Sequence, residues 1–267
     1  MHIKPSLAAI AEKYHSDKGL QGPTRNWNGN NYVDIYESYF RNHVSDPITM
    51  LEIGIGVAGP NWESKIAHGS NIAGGASVQM WQDYFEQGKI FAMDINPASH
   101  LDTDRIQTFV VDQGSADQLQ EFNEKTSGVV FDFIIDDGSH RGDHQQISLE
   151  ALWPRLKSGG YYIIEDLNDR GNGERETGRH GSRDVVSTRR LFLEFIKSRN
   201  VISPNAFQNS KFFEEISDVR FHSPKPLFDF PMLAVEFLRA VMGRAKFGVN
   251  QTKFARDSYK MVVLKKR

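Results

Sequence analysis

The fold rests on Met50-Leu51-Glu52-Ile53-Gly54-Ile55-Gly56-Val57-Ala58-Gly59, where an apolar run leads directly into a glycine-rich turn. The turn has the spacing G-x-G-x-x-G, which lets the backbone reverse sharply and lets a ligand approach it closely. Dinucleotide sites use the same spacing, so the glycines alone do not identify the ligand.

Similar apolar runs follow along the chain, and most of them end in an acidic residue. They cover residues 90–94, 108–112, 131–137 and 161–166. Such runs suit strands that are buried on both faces of a parallel sheet. Amphipathic segments at 77–85, 115–125 and 143–156 separate the runs. This alternation predicts an α/β fold with a Rossmann-like, doubly wound sheet.

Two further runs near the end, 217–222 and 258–265, predict a closing pair of strands, one of them an antiparallel edge, for a total of seven. We expect residues 46–267 to form the α/β domain and residues 168–184 to be a lid inserted into it. Residues 1–45 should be a helical extension. The spacing of its aromatic residues places them on one helical face. These residues either pack on the domain or help to line a pocket. They are Tyr32, Tyr36, Tyr39 and Phe40.

The composition narrows the class of protein. The chain has 267 residues and no cysteine, which excludes thiolate catalysis, disulfides and zinc–cysteine sites. Its 32 basic and 34 acidic residues give a net charge of −2, which offers no case for a nucleic-acid partner. No apolar stretch approaches the ~18 residues of a membrane helix. We therefore expect a cytoplasmic protein without a membrane partner; a homo-oligomer is compatible with the sequence.

Three features of the glycine turn favour S-adenosylmethionine over a dinucleotide. Glu52 replaces the usual apolar residue two positions before Gly54, and its carboxylate can receive the cationic amino-acid end of the methyl donor. Asp94 lies 40 positions after Gly54, rather than the ~20 of a dinucleotide unit. Pro60 and a long loop follow the glycines, so the sequence predicts no helix N-terminus for a pyrophosphate.

The donor site should use residues at several strand ends. We expect Gly54 and Gly56 to permit close approach, and Asp94 to accept hydrogen bonds from the ribose hydroxyls. Asp112 is placed to meet the adenine amino group, although the segment that begins there can instead cap the following helix.

Four carboxylates are predicted to crowd the same edge of the sheet, because Asp136-Asp137 and Glu165-Asp166 end neighbouring strands. Such a cluster needs protonation, a basic partner or a cation. Oxygen ligands in a chain without cysteine favour Mg²⁺, Mn²⁺ or Ca²⁺ over zinc. Successive residues of a strand point in opposite directions, so not all four acids can bind one ion in regular geometry. Our predicted metal ligands are Asp137, Glu165 and Asp166, and Asp136 is left for the donor side or the scaffold. The alternative is that backbone amides and lysines satisfy these acids.

His140 follows this acidic pair in the turn that leaves the strand. An imidazole can accept a proton from a hydroxyl at neutral pH, so His140 is our predicted general base. His144 lies four residues later in the next predicted helix and is the alternative base.

The segments 51–56, 74–81, 91–96, 134–140 and 163–166 resemble the macrocin-type, metal-dependent sugar O-methyltransferases of natural-product biosynthesis. The resemblance runs from Tyr14-His15-Ser16-Asp17-Lys18-Gly19 to about Leu167. It implies a class I methyltransferase fold, Mg²⁺ held by Asp137, Glu165 and Asp166, and His140 as the general base. It also implies a small-molecule acceptor that carries a sugar.

Other functions remain open at this stage. They are an NAD(P)-dependent oxidoreductase, a binding protein without catalysis, and a methyltransferase acting on a non-sugar hydroxyl, an RNA or a protein. An arginine-rich segment can be a solvated lid or a clamp for a phosphate or nucleotide sugar. Its arginines are Arg170, Arg175, Arg179, Arg183, Arg189 and Arg190.

Overall fold

The computed structural model describes residues 5–20, 29–58, 73–167, 185–224 and 260–267. Its α-helices are α1 (Leu7–Tyr14), α2 (Val33–Phe40), α3 (Ala76–Tyr84), α4 (Ala116–Lys125), α5 (Gly142–Leu152) and α6 (Thr188–Ser198). Its strands are β1 (Thr49–Ile53), β2 (Lys89–Asp94), β3 (Ile106–Val110), β4 (Phe131–Asp136), β5 (Leu156–Ile164), β6 (Ile216–His222) and β7 (Met261–Lys266).

The seven strands form one sheet in the order β3-β2-β1-β4-β5-β7-β6. Strands β1 to β5 pair in parallel, whereas β7 is antiparallel to both β5 and β6. The predicted α/β class and doubly wound sheet are confirmed. The predicted antiparallel edge is only partly right, because the antiparallel strand β7 lies inside the sheet and β6 forms the edge. The order reverses between β1 and β4, which is where such sheets bind ligands.

Some element bounds differ from the prediction. Strand β3 ends at Val110, so Asp112 lies in the following turn and not at the strand end. Helix α5 ends at Leu152, and a 3-10 turn that contains Pro154 follows it. Proline has no backbone N–H, so the helical hydrogen-bond ladder cannot continue through it. Strand β5 then begins at Leu156, five residues before the predicted run at 161.

The N-terminal helices share a core with the sheet. The side chain of Ser6 caps α1 by accepting a hydrogen bond from the amide of Ala9, and His15 ends the helix in a left-handed conformation. The apolar face of α1 is fully buried and packs against α3. One core cluster joins residues of α1, α2 and α3 to β1 and β2, and a second lies on the other face with α4, α5 and α6. The boundary at residue 45 stays a prediction.

The whole of the predicted lid, residues 168–184, lies outside the described residues, and with it Arg170, Arg175, Arg179 and Arg183. Residues 59–72 of the long loop after the glycine turn also lie outside them. Arg189 is described and is buried in the first turn of α6, so a solvated position is wrong for this residue. Among the described residues, no helix combines the length and the apolar character needed to cross a membrane.

Candidate active site

Gly54 and Gly56, in the turn after β1, differ in what surrounds them. Both are left-handed, with φ of 79° at Gly54 and 70° at Gly56. A Cβ on Gly54 would lie 2.3 Å from the carbonyl oxygen of Asp137 and 2.5 Å from the Cα of Gly138. A Cβ on Gly56 would meet no described atom within 4 Å. Gly54 therefore lets the turns after β1 and β4 pack together, whereas the space beside Gly56 is open among the described residues.

Asp94 ends β2 and holds the glycine turn. Its Oδ2 accepts a hydrogen bond from the amide of Ile55 at 3.0 Å, and its Oδ1 accepts one from the amide of Asn96 at 2.9 Å. An ionised carboxylate has about four acceptor positions, so these bonds leave room for ligand hydroxyls. The predicted contact with the ribose stays a prediction.

Asp112 lies in the turn after β3, with its Oδ1 accepting from the amide of Gly114 at 2.8 Å. The cap of α4 is Ser115, whose Oγ accepts from the amide of Gln118 at 3.3 Å. The capping role therefore belongs to Ser115, and Asp112 is half-buried in the turn after β3.

Asp136 is a fully buried part of the scaffold. Its two oxygens accept from Nε2 of Gln113 at 2.6 and 2.7 Å, and Ser148 donates to its Oδ2 at 2.9 Å. Burial raises the pKa of Asp136, while the hydrogen bonds from Ser148, the Gly138 amide and Gln113 oppose the rise. Of the two roles expected for Asp136, these contacts favour the scaffold.

A lysine from the N-terminal segment lies among the predicted site carboxylates. The Nζ of Lys18 is 2.6 Å from Asp137 Oδ2, 2.8 Å from Glu165 Oε1 and 3.4 Å from Glu52 Oε1. Sequence reasoning did not assign Lys18 a role, although it lies in the quoted segment Tyr14–Gly19. The expectation that lysines can satisfy these acids is correct at this position.

The charges of this cluster are mutually dependent. Burial by itself lowers the pKa of Lys18, but the carboxylates of Asp137, Glu165 and Glu52 raise it well above its ordinary value. Burial also raises the pKa of Glu165, as does the neighbouring Asp137, and Lys18 opposes this rise. Glu52 is fully buried, and its Oε2 accepts from Ser77 Oγ at 2.8 Å. The structure therefore places Glu52 in the protein interior, beside Lys18.

Two tyrosines of the aromatic face reach the same carboxylates. Tyr36, in α2, donates a short hydrogen bond to Glu165 Oε1, and Tyr32, just before α2, donates to Asp166 Oδ1 at 2.6 Å. Burial raises the pKa of both phenols, so both remain neutral donors. The aromatic face both packs on the domain and lines the site, which joins the two alternatives.

Asp137, His140 and Asp166 could together hold a metal ion. One ligand atom from each lies within 4.8 Å of the others, and His140 Nε2 is 3.8 Å from Asp166 Oδ2. Octahedral Mg²⁺ with bonds of about 2.1 Å needs ligand atoms about 3.0 to 4.2 Å apart, so only a small contraction is required. His140 and Asp166 are both left-handed, with φ of 58° and 47°.

Two of the three predicted ligands therefore meet beside the predicted base. The third, Glu165, turns its Oε1 to Lys18 and Tyr36. Its Oε2 is buried and has no hydrogen-bond partner among the described residues. An unpaired carboxylate oxygen is costly in a buried position, which fits a cation as its missing partner.

His144 faces another part of the site. Its Nδ1 is 3.0 Å from Ser139 Oγ, and a Cβ on Gly114 would lie 2.4 Å from its Nε2. The imidazole therefore packs against the turn after β3, on the Asp112 side. This placement favours His140 over His144 as the base.

Comparisons with known proteins support a relationship to methyltransferases. No family model matches the chain. A tetracenomycin-C rhamnosyl 3'-O-methyltransferase of Streptomyces olivaceus is 37% identical over 162 residues, which are 60% of this chain and 36% of the relative. Demethylmacrocin O-methyltransferase of Streptomyces fradiae is 34% identical over 165 residues, 61% of this chain and 37% of the relative. The chain thus spans little more than a third of the length of these relatives.

The solved structure of MycE methyltransferase from the mycinamycin pathway has the same fold, with a TM-score of 0.64 at 23% identity. The match covers 98% of this chain and 55% of MycE, which was solved with Mg, SAH and mycinamycin VI. The expected resemblance is confirmed: over about three-fifths of its length, this chain is similar to the sugar O-methyltransferases of macrolide and tetracenomycin biosynthesis, and it has the MycE fold.

Proposed function

We propose that the chain is an S-adenosylmethionine-dependent, Mg²⁺-dependent O-methyltransferase that acts on a sugar hydroxyl of a glycosylated natural product. The observation that carries this proposal is the convergence of Asp137, His140 and Asp166 beside the glycine turn. Their grouping supplies a cation site and a base at the edge where doubly wound sheets bind ligands. The sequence similarity to sugar O-methyltransferases supports the same reaction.

The donor would lie in the open space beside Gly56, between the strand ends of β1 and β2. Asp94 would accept hydrogen bonds from the ribose, and Asp112 would meet the adenine. Glu52 would receive the cationic amino-acid end of the donor; its carboxylate is fully buried and lies 3.4 Å from the ammonium of Lys18. S-adenosylmethionine supplies the methyl group and its own sulfonium leaving group.

Asp137 and Asp166 would hold the cation, with the Oε2 of Glu165 as a third oxygen ligand. The cation, Mg²⁺ or Mn²⁺, supplies a Lewis acid that lowers the pKa of an acceptor hydroxyl. Tyr32 fixes the carboxylate of Asp166 through its hydrogen bond. This support matters because a ligand fixed before binding loses little freedom when the ion arrives.

In this proposal carboxylates alone hold the cation, and His140 would take the proton of the acceptor hydroxyl at Nε2 as the new carbon–oxygen bond forms and the carbon–sulfur bond of the donor breaks. Asp166 Oδ2, at 3.8 Å, stabilises the imidazolium that results. Holding both substrates in line contributes much of the rate, because it removes the entropy of bringing them together. We also propose that the enzyme is cytoplasmic and has no nucleic-acid partner. A homo-oligomer is compatible with the proposal.

Mass spectrometry can test the reaction directly. The chain is incubated with S-adenosylmethionine, Mg²⁺ and a panel of glycosylated natural products, with the matching aglycones as controls. We expect a product heavier by one methylene from a glycoside, no product from its aglycone, and no turnover in EDTA. Full turnover after verified removal of metal would contradict the metal part of the proposal. Methylation of the aglycones at equal rates would contradict the sugar acceptor.

A further inference from the structure

Lys18 is a fully buried cation that the proposed methyl transfer does not use. Its ammonium contacts carboxylates from the ends of three adjacent strands: Glu52 of β1, Asp137 after β4 and Glu165 after β5. It thus lies where the proposed donor side meets the proposed metal side.

The backbone of Lys18 is held firmly. Its carbonyl oxygen accepts from the amides of Tyr32 at 2.9 Å and Val33 at 3.2 Å, and its own amide donates to Ser16 Oγ at 3.4 Å. The start of α2 therefore fixes the lysine, and Tyr36 of the same helix donates to Glu165. A buried lysine with this anchoring is a built feature, because its burial is stable only if its charge is paired.

One carboxylate serves both the lysine and the proposed cation. Asp137 contacts Lys18 through its Oδ2 and also belongs to the group with His140 and Asp166. Glu165 contacts Lys18 through its Oε1, and its Oε2 has no hydrogen-bond partner among the described residues. Two cations that share a carboxylate repel each other, so the ammonium and a divalent ion compete for the same negative charge.

We propose that Lys18 is an internal counter-ion of the site carboxylates. In the metal-free protein its ammonium neutralises them in place of the divalent cation. Its charge also weakens metal binding, so that the bound ion can dissociate. This inference rests on the metal site of the proposed function. Lys18 is a positioning residue, because it touches the carboxylates and acts on the metal only through them.

Replacing Lys18 by a neutral residue should change two properties in opposite directions: metal affinity should rise, and the stability of the metal-free protein should fall. A neutral residue at position 18 removes the repulsion and should tighten metal binding by about tenfold or more. A unit charge about 5 Å from a divalent ion has this effect even at a water-like dielectric constant. The same change leaves buried carboxylates without a counter-ion, so the metal-free variant should be less stable. A residue with only a structural role would lower stability without tightening metal binding.

The test compares Lys18→Met and Lys18→Gln with Lys157→Met in the full chain. Lys157 makes a matched control, because it pairs with Asp132 at 2.7 Å and lies at the opposite end of β5. Electron paramagnetic resonance of free Mn²⁺ at one fixed pH gives the dissociation constant. Urea unfolding with and without Mn²⁺ gives the stability.

We expect both Lys18 variants to bind Mn²⁺ about tenfold more tightly or better than the wild type, and to gain more stability from it. Lys157→Met should bind Mn²⁺ as the wild type does. Unchanged or weaker binding in the Lys18 variants, with normal binding in the wild type, would overturn this inference alone. Failure of both variants to fold in saturating Mn²⁺ would also overturn it, because the ion would not replace the ammonium. A wild type that does not bind Mn²⁺ would overturn the proposed metal site together with this inference.

Discussion

Replacing single glycines by alanine separates chain packing from ligand binding. Gly54, Gly56 and Gly128 all have a left-handed backbone, with φ of 79°, 70° and 83°. An alanine in this conformation costs roughly 1–2 kcal/mol at each position. Gly128 is exposed and its added Cβ would meet no described atom within 4 Å, so Gly128→Ala measures this backbone cost alone.

Gly54→Ala carries a second cost. Its Cβ would lie 2.3 Å from the carbonyl oxygen of Asp137, which is backbone and must move as a unit. Overpacking of this kind adds about 1–3 kcal/mol, for a total of roughly 2–5 kcal/mol. Gly56→Ala should cost no more stability than Gly128→Ala, since neither Cβ would meet a described atom within 4 Å. It should weaken S-adenosylhomocysteine binding by about tenfold or more, because its methyl group would occupy the space proposed for the donor.

Urea unfolding measures the stability of the three variants, and calorimetry measures their affinity for S-adenosylhomocysteine. The expected pattern is that Gly54→Ala loses the most stability, that Gly56→Ala loses affinity while remaining folded, and that Gly128→Ala keeps its affinity. Equal stability of the Gly54 and Gly128 variants would refute the packing argument. Unchanged affinity in folded Gly56→Ala would remove this glycine from the donor site.

Three other predictions concern single side chains. His140→Ala should lose about 10²–10⁴-fold in turnover with S-adenosylhomocysteine and Mn²⁺ affinities nearly intact, and wild-type turnover would assign the proton elsewhere. Asp94→Ala should weaken S-adenosylhomocysteine binding by roughly 1–3 kcal/mol in calorimetry, and an unaltered constant would mean that the ribose lies elsewhere. Burial lowers the pKa of His144, so below about pH 6.5 the unfolded chain binds more protons and stability falls as the pH drops. In urea unfolding from pH 7.5 to 5, His144→Gln should lose less stability on acidification than the wild type, and an identical loss would rule out His144 as its source.

The strand pattern of the central sheet could be predicted because it depends on local residue types. Apolar runs rich in β-branched and aromatic residues must be buried, and turns after parallel strands meet at one edge of the sheet. This reasoning brought Asp137, Asp166 and His140 to one place, as the structure has them. The ends of β3 and β5 were less predictable, since apolar patterns set element bounds only loosely.

Side-chain direction within the acidic pairs needed the tertiary structure. Alternation along a strand predicts that neighbours such as Asp136 and Asp137 point oppositely, but it does not say what each one meets. Gln113 and Ser148 donate hydrogen bonds to Asp136 and make it part of the scaffold. The ammonium of Lys18 forms an ion pair with Oε1 of Glu165. These partners lie on other elements, and no local pattern encodes them.

The sequence by itself determined the sheet, the glycine turn and the edge at which acids gather, because each follows from the preferences of neighbouring residues. The tertiary structure alone decided how the charges are neutralised. Lys18 is separated from Asp137 by 119 positions and from Glu165 by 147, yet its ammonium touches both. A salt bridge between residues so distant in sequence forms only when α1 and α2 pack on the sheet, because that packing brings the charges together and removes the water between them.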